Sequence, residues 1–163
     1  MRRTAPLWRR MLDIRTGGGS RVEIGRVQVS DLEAIGRLHA HFWGEVSDVD
    51  VMAETLSRLD GDPDHMLLSA RIDGECIGTA TGVVCHGLYG GYDSYLVIED
   101  VVVDPHHRRS GVASALFVEL ERLARDRSCK QMIALTEACR EDAVALYESA
   151  GLAGRWKGFK KKL

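Results

Sequence analysis

The sequence lacks the features that mark several large classes of protein. No apolar run approaches the ~20 residues that a membrane-spanning helix needs, so we expect no membrane partner. The four cysteines among the 163 residues are 9, 44 and 10 positions apart, and none of these is the short spacing of a zinc knuckle or a redox dithiol. We therefore expect no bound metal, and we expect reduced thiols in a cytoplasmic protein.

A strong excess of charge of one sign is also missing. The formal net charge of −2 argues against a general nucleic-acid binder. The charge is nevertheless uneven, with +5 in residues 1–21, +5 in residues 155–163 and −12 between them. Residues 1–21 contain no continuous apolar segment of the kind that a secretory signal has. We expect a flexible basic leader over residues 1–21 and a single folded domain over residues 22–163.

Hydrophobic periodicity predicts alternating strands and helices. Short strands are expected from Val22 and on both sides of the Asp73-Gly74 hairpin signal, and a long, nearly continuous apolar strand is expected over residues 95–103. The predicted helices cover about residues 32–42, 49–59, 110–127 and 141–150, and further strands are expected over 131–135 and 152–163. This order indicates an α/β fold with a mixed sheet.

The segment after the long strand has the composition of an anion site. The strand ends at Pro105 and a helix follows from Gly111, so the first N–H groups of that helix are expected to lack backbone partners. Gly111 lets an anion approach the backbone closely, Arg108 and Arg109 add positive charge, and Ser110 adds a hydroxyl. We expect a pyrophosphate cradle that is neither a P-loop nor a dinucleotide fingerprint. An ordinary helix start is the alternative.

Together with the residues that follow, this segment resembles the GNAT superfamily of acyl-CoA-dependent N-acyltransferases. The resemblance is carried by Val-x-Val-x-Pro and Arg-x-x-Gly-x-Ala within residues 101–113, and by Ala-x-x-x-Tyr-Glu-x-x-Gly-Leu over residues 143–152. It covers about residues 94–152, extends to Val22 by element order, and does not include residues 1–21. It implies a twisted, mixed, mostly antiparallel sheet with helices on both faces. The strand over 98–103 and the late Tyr-Glu-x-x-Gly are loosely similar to the glucosamine-phosphate N-acetyltransferase branch.

The resemblance implies transfer of an acetyl group from acetyl-CoA to a primary amine of a small molecule, by direct attack in a ternary complex. The strand Val101-Val102-Val103 would bind the pantetheine arm through the backbone of its first and third residues. The next strand, over 131–135, would splay away to admit the thioester. The residues implied in pyrophosphate binding are Arg108, Arg109, Ser110, Gly111, Val112, Ala113 and Ser114.

Acid–base chemistry is expected from two carboxylates and one phenol. Glu99 and Asp100 interrupt an otherwise apolar strand, and regular alternation would direct them to opposite faces of the sheet. On a regular strand Glu99 would point to the same face as Val101 and Val103, so we favour Glu99 as the base, with Asp100 as the alternative. A third reading is that these carboxylates cap backbone or bind a substrate ammonium. Tyr147 occupies the general-acid position of the family, and a packed core tyrosine is its alternative.

The acceptor side is less specified by the sequence. The resemblance implies that Phe42, Trp43, Tyr89 and Tyr92 line the acceptor pocket, although core packing explains Phe42 equally well. The histidines could be bases or ligands, but no carboxylate or cysteine stands at a metal-site spacing from them. The acidic body of the chain suits a cationic amine better than a phosphorylated sugar.

Two other functions stay open at this level. One is a protein acetyltransferase acting on an N-terminus or a lysine, and the other is a non-catalytic acyl-CoA-binding module. Because family members are commonly dimers, a homodimer through the last strand is also open.

Overall fold

The computed structural model describes residues 12–15, 19–88, 94–137, 139–154 and 158–161. The strands are β1 (Leu12–Arg15), β2 (Arg21–Arg26), β3 (His65–Ile72), β4 (Glu75–His86), β5 (Ser94–Val103) and β6 (Cys129–Ala134). The helices are α1 (Leu32–Trp43), α2 (Val49–Leu59), α3 (Val112–Asp126) and α4 (Glu141–Ser149). Single 3₁₀ turns precede α1 and follow β5.

The strands form one six-stranded sheet in sequence order, from β1 to β6. Every neighbouring pair is antiparallel except β5 and β6, which are parallel and joined by α3. The hairpin between β3 and β4 turns at Asp73 and Gly74, both at positive φ, as the sequence predicts for this dipeptide. This confirms the predicted mixed, mostly antiparallel sheet.

Helices cover both faces of the sheet. On one face α3 buries Val112, Leu116, Leu120 and Leu123 in the larger core cluster, against side chains of β2 to β5. The approach is close, because a Cβ added to Gly82 of β4 would stand 2.9 Å from the side chain of Leu120. The opposite face carries α1 and α2 over a smaller cluster.

The smaller cluster contains fewer buried side chains. Its buried members are Val27, Leu32, Ile35, Leu56 and Cys76. Leu56 is the one buried residue among the described residues of α2, so most of the apolar side of that helix is only partly covered.

A buried ion pair fixes the start of α1 to the sheet. The Asp31 carboxylate, 2% exposed, accepts hydrogen bonds from Arg71 Nε at 2.8 Å and from Ser69 Oγ at 3.0 Å. It also accepts from the Gln28 backbone N–H at 2.7 Å. With its charge paired and its oxygens hydrogen-bonded, Asp31 orients α1 over β3.

A β-bulge interrupts β5 at the point that matters for the site. Thr81 of β4 pairs with Glu99 and Thr79 pairs with Val102, so Asp100 and Val101 together oppose one residue of β4. Asp100 has a φ of 52°, in the left-handed region that aspartate tolerates better than most residues. The bulge reverses the inward and outward alternation of the strand from that point on.

Both ends of the chain differ from the expectation. Residues 12–15 fall within the expected flexible leader, whereas the structure pairs them with β2 as β1. Leu-Asp-Ile-Arg has the apolar–polar alternation of a strand. Of the expected last strand over 152–163, the described residues 152–154 and 158–161 are not in a strand. In the described part of the chain no helix combines the length and the apolar character needed to cross a membrane.

Candidate active site

The sheet opens between β5 and β6 beyond Ile98. Their parallel pairing runs from Ser94 with Cys129 to Ile98 with Ala134, and no pair follows. The Asp104 N–H at the end of β5 bonds to the Ile77 carbonyl of β4, so the preceding Val103 presents its backbone groups to the opposite, open edge. The pairing of β5 with β6 therefore ends at Ile98, and the rest of β5 leaves strand edge available for an extended ligand.

The N-terminus of α3 lies at the end of this open edge. Gly111 is the N-cap, at φ 90°, and no side chain caps the helix there. The intrahelical bond from Ala115 N to Gly111 O leaves the preceding amides of the first turn without partners further back in the helix. A Cβ built on Gly111 meets nothing within 4 Å among the described residues, so the space beside this N-cap residue is open. The geometry is suited to an anion.

The loop between β5 and α3 is held by its own side chains. Asp104 accepts from the His106 N–H at 2.8 Å, and Ser110 Oγ donates to the His107 carbonyl at 2.5 Å. The Ser110 proton is thus used inside the loop, so this residue can offer a phosphate its backbone amide but not that proton. Arg108 and Arg109 are exposed beside the helix start, and Arg108 Nε donates to the Val103 carbonyl at 3.3 Å.

The bulge overturns the expected orientation of the carboxylates. Ile98, Val101 and Val103 all pack on the α3 side, which regular alternation from Ile98 would forbid. Glu99 stands opposite Thr81, whose side chain lines the cavity on the other face, and Asp100 lines the same cavity. The two carboxylates therefore share one face, and the parity argument that grouped Glu99 with Val101 and Val103 is wrong.

The cavity is a groove of about 250 Å3 between α1, α2 and the sheet. Its lining residues are Val27, Leu32, Ile35, His39, Val51, Met52, Thr55, Leu56, Leu59, Leu67, Thr79, Thr81 and Asp100. Glu99 is not among them. Asp100 thus places the negative charge in an otherwise largely apolar groove.

His39 projects from α1 into the same groove. Burial lowers the pKa of its imidazole below the ordinary value, and the nearby Asp100 carboxylate opposes this effect. Its Nε2 is buried and has no hydrogen-bond partner among the described residues. The ring lies 4.8 Å from that of Trp43, edge to face. His39 is therefore a neutral imidazole at neutral pH with an unused nitrogen beside a carboxylate.

Tyr147 lies on α4, on the α3 side of the sheet. Its half-buried ring packs 5.7 Å from that of Phe117. Burial raises the pKa of the phenol above its ordinary value, with Arg140 opposing the rise and Asp142 adding to it. The hydroxyl therefore stays protonated at neutral pH, which a proton donor requires.

Of the predicted aromatic residues, Phe42 and Trp43 lie beside the cavity and are not among the residues that line it. Phe42 is half-buried beneath the Arg140 guanidinium, 4.2 Å from the ring centre, and Trp43 is 46% exposed. Trp43 contacts the ring of His39, which does line the groove, and Phe42 packs against Trp43. Tyr89 and Tyr92 lie outside the described residues.

Sequence reasoning missed most of the groove wall. Val51, Met52 and Thr55 of α2 were read only as part of a helix, and the threonines of β4 were not singled out. The signal that the sequence offers is the amphipathic pattern of α2, and in the structure Leu56 is the one buried residue among the described residues of that helix. No group of three or more potential ligands able to hold a metal ion occurs within the described residues.

Comparisons with known proteins agree with this geometry. A sequence model of the acetyltransferase (GNAT) family matches residues 32–152. A putative acetyltransferase from Agrobacterium tumefaciens is 20% identical, with a TM-score of 0.79 over 86% of this chain and 99% of that one. Glucosamine-6-phosphate N-acetyltransferase from Arabidopsis thaliana is 18% identical, with a TM-score of 0.75 over 86% and 97%.

A third similar structure is an aminoglycoside N-acetyltransferase in complex with CoA, 21% identical, with a TM-score of 0.72 over 89% of this chain and 97% of that one. At these identities the structures show a shared fold. The family model covers most of the chain, including the open strand edge and the α3 cradle. The chain therefore belongs to the GNAT family of acetyltransferases and is an acyltransferase.

Proposed function

We propose that the chain transfers an acetyl group from acetyl-CoA to a primary amine of a small molecule, by direct attack within a ternary complex. The observation that carries the proposal is the continuity of the open β5 edge with the uncapped N-terminus of α3. A Cβ on Gly78 of β4 would stand 3.3 Å from the side chain of Val103 and 3.4 Å from that of Val112, so the two features adjoin.

The donor would use both features at once. The backbone of Val101 and Val103 would bind the pantetheine arm as an added strand. Amides of the segment from Arg108 to Ser114 would surround the pyrophosphate, with the exposed Arg108 and Arg109 supplying positive charge. The thioester would then lie in the opening between β5 and β6.

The chain must also manage two protons. An alkylammonium with a pKa of about 10 has to lose one proton before its nitrogen can attack, which at pH 7 amounts to roughly 4 kcal/mol. Asp100 faces the groove from which the amine would approach, so it is the carboxylate we place next to the amine. Glu99, on the same face but outside the groove, is the rival base. Tyr147 would protonate the departing thiolate.

The other predictions stand as parts of the same proposal. All four cysteines are free thiols, and burial raises the pKa of Cys76 to about 11, which suits a protein of the reducing cytoplasm. A homodimer is retained as a proposal, although the described part of the chain provides no last strand through which it could form.

A thiol-release assay with acetyl-CoA and a panel of amines tests the proposal. We expect release of free CoA that depends on a small primary amine, with the acetylated amine identified by mass spectrometry. If free CoA is released only with peptide N-termini or lysines, the acceptor is a protein and not a small molecule. If the chain binds CoA but acetylates no amine or peptide, it is a non-catalytic acyl-CoA-binding module.

A further inference from the structure

The groove between α1, α2 and the sheet has a chemistry more specific than a general amine site. Eight of its thirteen lining residues are aliphatic or methionine, and three are threonines. His39 and Asp100 are the titratable residues among those that line it, within the described part of the chain. An occupant therefore meets apolar walls at most positions and one acidic end.

The volume limits the occupant as well. The groove has a volume of about 250 Å3. A drug-sized ligand needs about 300–1,000 Å3. The groove has room for a branched alkyl chain or for one aromatic ring with a short linker. Hydroxyl groups on the occupant would lose water without gaining partners wherever they met the eight apolar side chains of the wall.

The polar part of the groove, formed by His39 and Asp100, is suited to a positively charged hydrogen-bond donor. Asp100 offers a carboxylate, and the buried Nε2 of His39 has no partner in the described structure. A buried nitrogen without a partner has lost its hydrogen bonds to water, and this desolvation cost is offset only if a ligand supplies a donor. A primary ammonium carries three N–H donors and can serve both groups together.

We infer that the acceptor is a primary amine borne on a compact apolar group, with Asp100 anchoring its ammonium and His39 Nε2 taking the proton that the attacking nitrogen loses. This inference rests on the proposed function, and it names the class of substrate and a second catalytic residue for that same groove. The lowered pKa of the imidazole is consistent with the role, because only the neutral ring can accept a proton.

The proton and bond changes balance without a further reactant. The ammonium releases one proton to solvent, and its nitrogen then forms a C–N bond to the thioester carbon. The tetrahedral adduct passes a proton from nitrogen to His39 Nε2, the C–S bond breaks, and Tyr147 protonates the sulfur. The imidazolium proton returns to the phenolate through solvent. One proton is released in each turnover, and both side chains are restored.

Amines that share the same –CH2–NH3⁺ end but differ in the body test the substrate class. We expect kcat/KM for isopentylamine and 2-phenylethylamine to exceed that for 6-amino-6-deoxy sugars and for hydroxylated alkylamines with the same –CH2–NH3⁺ end by roughly tenfold or more. Acetylation with the reverse preference would overturn the inference and leave the proposed function intact. Failure to acetylate any amine would overturn the proposed function itself.

A pair of surface variants tests the location. Val51 lines the groove yet is 57% exposed, so Val51→Glu should fold and should raise KM for the apolar amines by about tenfold or more, since their bodies would meet a charge. Val46→Glu is the matched control, because Val46 is 92% exposed and outside the groove. Equal kinetics for the two variants would place the amine elsewhere.

His39→Gln tests the proton acceptor. The variant keeps a polar side chain but cannot take the proton, so we expect kcat to fall by about a hundredfold or more while KM for the amine changes little. The fall of kcat at acid pH that the imidazole causes in the wild type should disappear. An unchanged kcat, or a loss seen only in KM, would remove His39 from the chemistry.

Discussion

The two neighbouring carboxylates of β5 make a matched pair for one decisive perturbation. Asp100 lines the groove and Glu99 does not, although both belong to the same face of the sheet. Asp100→Asn and Glu99→Gln each remove one negative charge and preserve the shape of the side chain. Asparagine also tolerates the left-handed conformation that Asp100 adopts at φ 52°, so the backbone of the bulge is not strained by the change.

The expected change in kcat/KM follows from the hydrogen bond that each carboxylate would make to the substrate ammonium. A hydrogen bond to a charged group contributes about 1.5–3 kcal/mol, which corresponds to a factor of about 10–150. Asp100 is exposed before a ligand binds, so screening by solvent places the loss towards the low end of that range. We expect Asp100→Asn to lower kcat/KM for the amine by about ten- to thirtyfold, and Glu99→Gln to change it by no more than about threefold.

Initial rates of thiol release at varied amine concentration give kcat/KM for each variant, and the affinity for CoA should be unchanged in both variants.

An NMR titration of His39 tests the same contact independently, through the direction in which its pKa changes. The Asp100 charge raises the pKa of His39 against the effect of burial, so Asp100→Asn should lower that pKa further and Glu99→Gln should not. A large loss in Glu99→Gln with near-normal rates in Asp100→Asn would refute the reasoning and restore Glu99 as the base.

Two further changes address the proton donor and the core. Tyr147→Phe keeps the packed ring, so the melting temperature and CoA affinity should stay close to wild type while kcat falls by about a hundredfold. Because burial raises the phenol pKa, the wild-type kcat should decline only above the ordinary tyrosine pKa, and this decline should be absent in the variant. Gly82→Ala forces a Cβ to 2.9 Å from Leu120 in the core, so urea denaturation should show a loss of about 1–3 kcal/mol. A kcat of Tyr147→Phe within a few-fold of wild type would contradict the first prediction. An unchanged urea midpoint of Gly82→Ala would contradict the second.

Much of the fold could be predicted because local signals agree with it. The bounds of α2 coincide with the predicted 49–59, where the apolar period of a helix ends at an Asp- and Gly-rich stop. The hairpin at Asp73-Gly74 and the loop that leads into α3 were also predicted, since turn chemistry and helix starts depend on a few adjacent residues. These features need no knowledge of distant contacts.

The orientation of the carboxylates could not be predicted in the same way. Counting residues along β5 assumes regular alternation, and a single inserted residue at Asp100 reverses every orientation after it. The bulge depends on pairing with β4, which the sequence of β5 alone does not reveal. The groove was missed for a similar reason, because it is apolar surface that α1 and α2 leave partly uncovered.

Calorimetric titration with CoA tests most directly whether the cradle at the start of α3 holds the pyrophosphate of the acyl donor. Gly111→Glu places bulk and negative charge in front of the helix amides, and Gly111→Ala controls for the strain of any side chain at φ 90°. We expect wild type and Gly111→Ala to bind CoA and Gly111→Glu to show no measurable binding. Equal affinity of Gly111→Glu and wild type would contradict the assignment of the cradle.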